Sequence, residues 1–168
     1  MKTPEQRKGT KFEIWLEKLL KRRGYEDVLR NVECHKERYR FRQVDIIYTY
    51  DDELRIVEAK YSSDGSISYK LRSTRERKYG NDIIVIENLV DEVLDKKRFV
   101  GADAALLVTN NSFEEKVKKE SKKHGIIVVE GDVLTRLYHE AGGKGSIDDS
   151  INAIDPDKYN QDKTIKLL

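Results

Sequence analysis

Apolar positions near the start of the chain recur at helical spacing. Phe12, Trp15, Leu16, Leu19 and Leu20 fall on one face, with Thr3 placed to cap, Pro4 at the first helical position and Gly24 as a stop. This predicts a helix from Pro4 to Arg23. The pattern then changes to strand: Asp27 to Cys34 first, then Phe41 to Tyr50 and Glu53 to Tyr61, the last two separated only by Asp51-Asp52. A gap that short and polar predicts a β-hairpin. Residues 62–81, rich in Ser, Tyr, Gly, Lys and Arg, read as a long mobile loop. A helix is expected from Asp82 or a little later to Phe99, although Ile83 to Ile86 would also suit a strand. Ala104 to Thr109 and Ile126 to Val129 read as short buried strands. Between them Ser112 is expected to cap a helix to His124, with Glu115 completing a capping box, and Asp132 opens a short helix ending near Gly142.

A hairpin followed by strand–helix alternation predicts an α/β layer fold with a mixed central sheet of about five strands flanked by helices. From Gly143 onward apolar residues are sparse. The expected organisation is therefore one domain over residues 1–142 and a polar, flexible tail or arm over 143–168. At 168 residues there is room for one sizeable core. The 33 basic and 31 acidic residues leave only +2, so any nucleic-acid contact must come from local charge rather than overall charge. The single cysteine, Cys34, excludes an internal disulfide and fits a reducing, cytoplasmic interior. No apolar run is long enough for a membrane span, and the polar N-terminus does not resemble a signal peptide.

The hairpin carries the chemistry. If Asp51 and Asp52 form a two-residue turn, Tyr50 faces Glu53, and counting back puts Asp45 opposite Glu58. Carboxylates so placed lie roughly 5 Å apart and repel. Val44, Ile46, Ile47, Ile56, Val57 and Ala59 make both faces of the hairpin apolar, which marks it as central rather than half exposed. Charges there need compensation, which hard oxygen ligands would find in Mg²⁺ or Mn²⁺. Lys60 follows on the same face as Glu58. Glu13 falls about 20° beyond Leu20 on a helical wheel, at the rim of the apolar face, where it could reach the hairpin. Glu17 lies further round and is expected in solvent.

Asp45 followed by Glu58-Ala59-Lys60 at the end of an apolar strand resembles the Asp…(Asp/Glu)-x-Lys signature of the restriction-endonuclease-like, PD-(D/E)XK, nuclease superfamily. The surroundings extend the resemblance to Mrr-type catalytic domains. They are Gly9, Phe12 and Glu13 before the signature, Gly24-Tyr25, and then Gly101-Ala102-Asp103, Leu106 to Thr109, Ser112-Phe113 and Gly125-Ile126 to Glu130-Gly131. Archaeal Holliday-junction resolvases are also similar, sharing the helix Glu, the Asp and the Glu-x-Lys. Many Mrr-type proteins carry Gln where this chain has Glu58, which inclines it toward the resolvase branch. The resemblance implies a restriction-endonuclease-like core and a Mg²⁺- or Mn²⁺-dependent DNA endonuclease. Asp45, Glu58 and the Ala59 carbonyl would hold metal, Lys60 would assist the nucleophile, and Glu13 would serve a second metal or a water. Likeness to resolvases implies a homodimer.

DNA contact is expected from Lys70, Arg72, Arg75, Arg77 and Lys78, interleaved with Tyr69 and Tyr79. Lys36, Arg38, Arg40 and Arg42 alternate at strand period, face away from Asp45 if the strand is unbroken, and could serve to blunt a sheet edge. Cys34-His35 lacks partners at zinc spacing, and Gly142-Gly143-Lys144-Gly145-Ser146 lacks Walker spacing. Two other functions are compatible with these residues: a non-catalytic nucleic-acid-binding module of the same fold, and a nuclease acting on RNA.

Overall fold

The structure is a computed structural model describing residues 2–37, 40–79, 82–159 and 163–167, of which 72–79, 82, 83 and 163 are described by backbone alone. The first helix, α1 (Pro4–Arg22), starts as its sequence dictates. Thr3 Oγ1 accepts from the Gln6 amide at 3.2 Å, and Gln6 Oε1 accepts from the Thr3 amide at 2.9 Å. This reciprocal pair satisfies two amides that the helix itself cannot. The strands β1 (Glu26–Lys36), β2 (Arg40–Tyr50) and β3 (Glu53–Lys60) follow. Next come β4 (Ser66–Ile67), β5 (Lys70–Tyr79), β6 (Asp82–Asn88), α2 (Leu89–Val100), β7 (Ala104–Thr109) and β8 (Ser112–Phe113). The chain continues through α3 (Glu115–Lys123), β9 (Ile127–Val129), α4 (Gly131–Glu140), α5 (Ile147–Asn152) and β10 (Lys163–Lys166).

Among the described residues the central sheet has six strands in the order β10-β1-β2-β3-β7-β9. The β1–β2 and β2–β3 pairs are antiparallel, and β3, β7 and β9 run parallel. One apolar cluster beneath α1, α4 and α5 joins Phe12, Trp15, Leu16, Ile46, Val57, Leu134 and Ile151. The other, beneath α2 and α3, joins Ile56, Leu89, Val93, Leu107 and Val117. The sheet is therefore mixed and covered by helices on both faces, the α/β architecture expected from the sequence. Among the described residues no helix is long and apolar enough to cross a membrane.

The Asp51-Asp52 turn has φ values of 49° and 63°, the left-handed pair that a two-residue hairpin turn requires. It sets the anticipated register, Tyr50 opposite Glu53 through Ile46 opposite Val57.

Several expectations differ from the structure. Residues 70–79 are not loop but β5, and residues 82–88 take the strand alternative open to Ile83–Ile86 as β6; the two form an antiparallel ribbon outside the central sheet, so α2 begins only at Leu89. Ser112 does not cap α3. It pairs with Ser66 in the β4–β8 ladder, while the Phe113 amide donates to Glu130 at 2.7 Å, so tertiary partners override the capping-box pattern. The expected flexible tail is folded back: Ile147 and Ile151 of α5 are buried, Trp15 Nε1 donates to Ser150 at 2.9 Å, and β10 adds a parallel strand beside β1. Burying one such isoleucine contributes roughly 1.5–3 kcal/mol, enough to hold a short, otherwise polar helix.

The last difference concerns the basic stripe. Asn31 adopts φ 55° in β1, between the Arg30–Ile46 and Val32–Val44 pairs. Ile46 packs beneath α1, whereas Val32 and Val44 join the cluster beneath α2, so strict alternation is broken there. Arg42 consequently does not blunt an edge. It is buried, with Nε 2.7 Å from Asp95 and its guanidinium 4.3 Å from the Phe99 ring centre at the end of α2. Lys36 and Arg40 lie over the same ring at 4.6 and 5.5 Å, and Arg38 falls outside the described residues.

Candidate active site

The β2–β3 ladder runs in register as far as Ile46 and Val57, and beyond it the side chains take over. The Ala59 amide donates to Asp45 Oδ2 at 2.8 Å, which ties the two strands together across the carboxylate. On the other side β3 pairs in parallel with β7, placing Glu58, Ala59 and Lys60 beside Leu107, Val108 and Thr109. The cluster thus lies at the carboxyl ends of parallel strands, where α/β sheets commonly place their ligands.

The exit from β3 is clamped. Asn110 Oδ1 accepts from the Ser62 amide at 2.8 Å, its Nδ2 donates to the Ser62 carbonyl at 2.7 Å, and the same nitrogen lies 3.1 Å from Asp148 of α5. Behind it, Gly131 approaches so closely that a Cβ would come within 2.2 Å of the Asn110 carbonyl oxygen. Only glycine fits at that contact.

Glu58 is almost fully buried and is held by two ammonium groups: Lys96 of α2 lies 2.9 Å from Oε2 and Lys60 lies 3.4 Å from Oε1. Burial raises its pKa, but the two lysines outweigh that and leave it lowered. Asp45 behaves differently. Burial and the neighbouring Glu58 charge push its carboxyl up to about 7, against the opposing pull of Lys96, Lys60 and the Ala59 amide. Glu13, half-buried on α1 between Phe12 and Ile14, is pushed up to about 9 by burial and then by the charges of Asp45 and Glu58. Three carboxyl groups from three elements therefore sense one another, and in the two with raised pKa values burial first and this repulsion second disfavour the charge.

The structure thus brings Glu13, Asp45, Glu58 and Lys60 into one electrostatic unit. It also adds two residues that the sequence pattern does not single out. Lys96 is buried, and Glu92, one turn earlier on α2 and also buried, lies 3.8 Å from its ammonium. A charged pair four residues apart, in phase with the apolar stripe Leu89, Val93 and Val100, is the signal that marks them. Glu17, expected in solvent, is buried and pairs with Arg30 and Lys21, each at 3.5 Å. Arg30 sits on the inward face of β1 beneath α1, and that position draws Glu17 inward. Of the basic residues after the site, Lys70 is exposed at the start of β5, while the side chains of Arg72, Arg75, Arg77 and Lys78 lie outside the described residues.

A family model described as "Restriction endonuclease", the Mrr-type catalytic domain, matches residues 5–138. The chain belongs to this restriction endonuclease family. Its match spans α1 through most of α4 and contains all four expected site residues. The fold is similar to that of AF1548, a crystallised protein of unknown function, with a TM-score of 0.60 at 16% identity over 79% of this chain. This chain spans 66% of that protein's length. A protein from Vibrio cholerae, VC1899, aligns over 80% of this chain and 33% of its own at 15% identity, with a TM-score of 0.45. No curated protein matches significantly. Family membership assigns the chain the restriction-endonuclease-like fold of a nuclease family.

Proposed function

We propose that this family member is a divalent-metal-dependent endonuclease that hydrolyses phosphodiester bonds in DNA, acting through Glu13, Asp45, Glu58 and Lys60. The observation that carries the reading is the gathering of carboxyl groups from α1, β2 and β3, with Glu58 paired to Lys60 and with Asp45 and Glu13 held well above the ordinary carboxylate range. A structural ion pair has no use for unneutralised carboxyls, whereas a cation-binding site does.

Among the described residues no group of three or more His, Cys, Asp or Glu side chains stands in metal-holding geometry, because Glu58 is turned to the two lysines and Asp45 to the Ala59 amide. The donor set itself suits Mg²⁺ or Mn²⁺, being made of hard oxygens. When ionised, the carboxylates of Glu13, Asp45, Glu58 and Glu92 exceed the ammonium groups of Lys60 and Lys96 by the charge of one divalent cation. Asp45, Glu58 and the Ala59 carbonyl are the groups that would hold it. A cation there supplies positive charge for the scissile phosphate and acidifies water at neutral pH.

The protein's own side chains do the rest. Lys60, anchored by Glu58, donates hydrogen bonds to the attacking water or to the phosphate oxygens as negative charge develops. Glu13, which retains its proton to about pH 9 before any cation enters, orients water opposite the leaving oxygen and exchanges a proton with it. Lys70, exposed at the start of β5, would supply a backbone phosphate contact. A resolvase-like mode of action would pair two copies of the chain, since cutting both strands requires two sites.

The test is mutational. Asp45→Ala and Lys60→Ala should each abolish Mg²⁺- or Mn²⁺-dependent cleavage while retaining DNA binding in a gel-shift assay. Undiminished cleavage by either variant would remove these residues from the mechanism. Binding without cleavage by the unmodified protein would favour a non-catalytic binding module.

A further inference from the structure

Lys96 has no place in the hairpin signature, yet it makes the shortest contact to the central carboxylate. Its ammonium lies 2.9 Å from Glu58 Oε2, closer than Lys60 to Oε1 at 3.4 Å. It is almost completely buried, so it is poorly placed to contact a DNA strand directly. Glu92, one helical turn back and equally buried, lies 3.8 Å away and steadies the lysine from its own helix. α2 packs against the same sheet face as Ile56 through Leu89, Val93 and Val100, which fixes the height of Lys96 over the strand. A lysine is costly to bury, and this one is sited where positive charge is most needed.

We propose that Lys96 is a positioning residue that acts as a built-in counter-ion: it holds the Glu58 side chain inward, and it competes with the divalent cation for that carboxylate. This rests on the metal-site reading above and adds a tuning element to it. With Lys96 in place, the site is partly neutralised before metal arrives, so cation affinity is held down. The incoming cation must share Glu58 with an ammonium that is fixed by Glu92 and cannot withdraw into solvent. Two positive centres on one carboxylate repel at short range, and the effect is large where water is excluded.

The test uses Lys96→Gln, which keeps a hydrogen-bond donor for Glu58 but removes the charge, beside Lys96→Arg, which keeps the charge. Mn²⁺ binding to each full-length protein is titrated without DNA by electron paramagnetic resonance or calorimetry. Lys96→Gln is expected to bind Mn²⁺ about tenfold more tightly than the unmodified protein, or better, and Lys96→Arg about as the unmodified protein does. A folded Lys96→Gln with unchanged or weaker Mn²⁺ affinity overturns the proposal. If Lys96→Gln does not fold without metal, Mn²⁺ must restore a cooperative thermal transition, and failure to do so also overturns it. If neither the unmodified protein nor Lys96→Gln binds Mn²⁺, the metal-site reading itself fails and this inference falls with it. Binding by the unmodified protein with no change in the variant removes only the role of Lys96.

Discussion

Asp45→Asn should make the metal-free protein more stable while ending its activity. Asparagine keeps an oxygen to accept from the Ala59 amide, the contact now made at 2.8 Å by Oδ2, and it removes the buried charge. Holding the Asp45 carboxyl at about 7 rather than 3.8 corresponds to about 4 kcal/mol against the folded state once the group is ionised. Because burial is the largest cause of the shift and an asparagine amide placed there still pays part of that desolvation, about half of that is the expected gain. For a chain of this size 1 kcal/mol shifts Tm by about 2–4 °C, so the gain should be roughly 5 °C or more.

The pH dependence follows from the direction of the shift. Between 3.8 and about 7 the folded protein holds a proton on Asp45 that the unfolded chain has released. Stability of the unmodified protein therefore falls as pH rises through this window, and Glu13 continues the fall toward about 9. The variant should match the parent at acid pH, pull ahead through the window and stay ahead at pH 8. The assay is a series of thermal melts in chelator-treated buffers, repeated with Mg²⁺, which should raise the Tm of the parent but not of the variant. A variant equal to or less stable than the parent at pH 8 would refute the claim that Asp45 carries uncompensated charge.

Other perturbations test the frame around the site. Arg30→Met leaves Glu17 buried with only Lys21 beside it and should cost about 3 kcal/mol or more, read as a lower urea midpoint. Ile151→Ala removes a side chain with no exposure between α5 and α1, and about 2–5 kcal/mol is expected by the same measurement. A null result there would mean that α5 is not a working part of the fold. Gly131→Ala should destabilise strongly, because its Cβ would collide with the Asn110 carbonyl, and should weaken the clamp on Ser62. Hydrogen exchange at the Ser62 amide reports this loosening.

The hairpin is legible in the sequence because a two-residue turn sets register, and register sets which side chains meet. The Asp51-Asp52 turn therefore locates Asp45, Glu58 and Lys60 from residue order alone. Periodicity likewise locates α1 and, at its rim, Glu13. The β5–β6 ribbon is not legible, because residues 70–79 contain mostly charged and polar side chains and the ribbon pairs outside the central sheet. Lys96 and Glu92 are hidden for the opposite reason. They interrupt an apolar stripe, and their meaning depends on which strand α2 covers, a tertiary fact. Glu17 departs from its expected place because a helical wheel cannot show that Arg30, from another element, stands opposite it. Ile147 and Ile151 are a thin apolar signal in a polar segment, yet four-residue spacing on one face suffices when a docking surface on α1 is ready.

The most direct measurement is cleavage by the purified, unmodified protein with Mg²⁺ or Mn²⁺ across linear, nicked, flapped, four-way and single-stranded DNA, with matching RNA strands and with Lys60→Ala in parallel. Cleavage of at least one DNA substrate, ended by chelation and absent in Lys60→Ala, is the predicted result. No cleavage of any nucleic acid, or equal cleavage without metal or without Lys60, would contradict a metal-dependent nuclease built on Glu13, Asp45, Glu58 and Lys60.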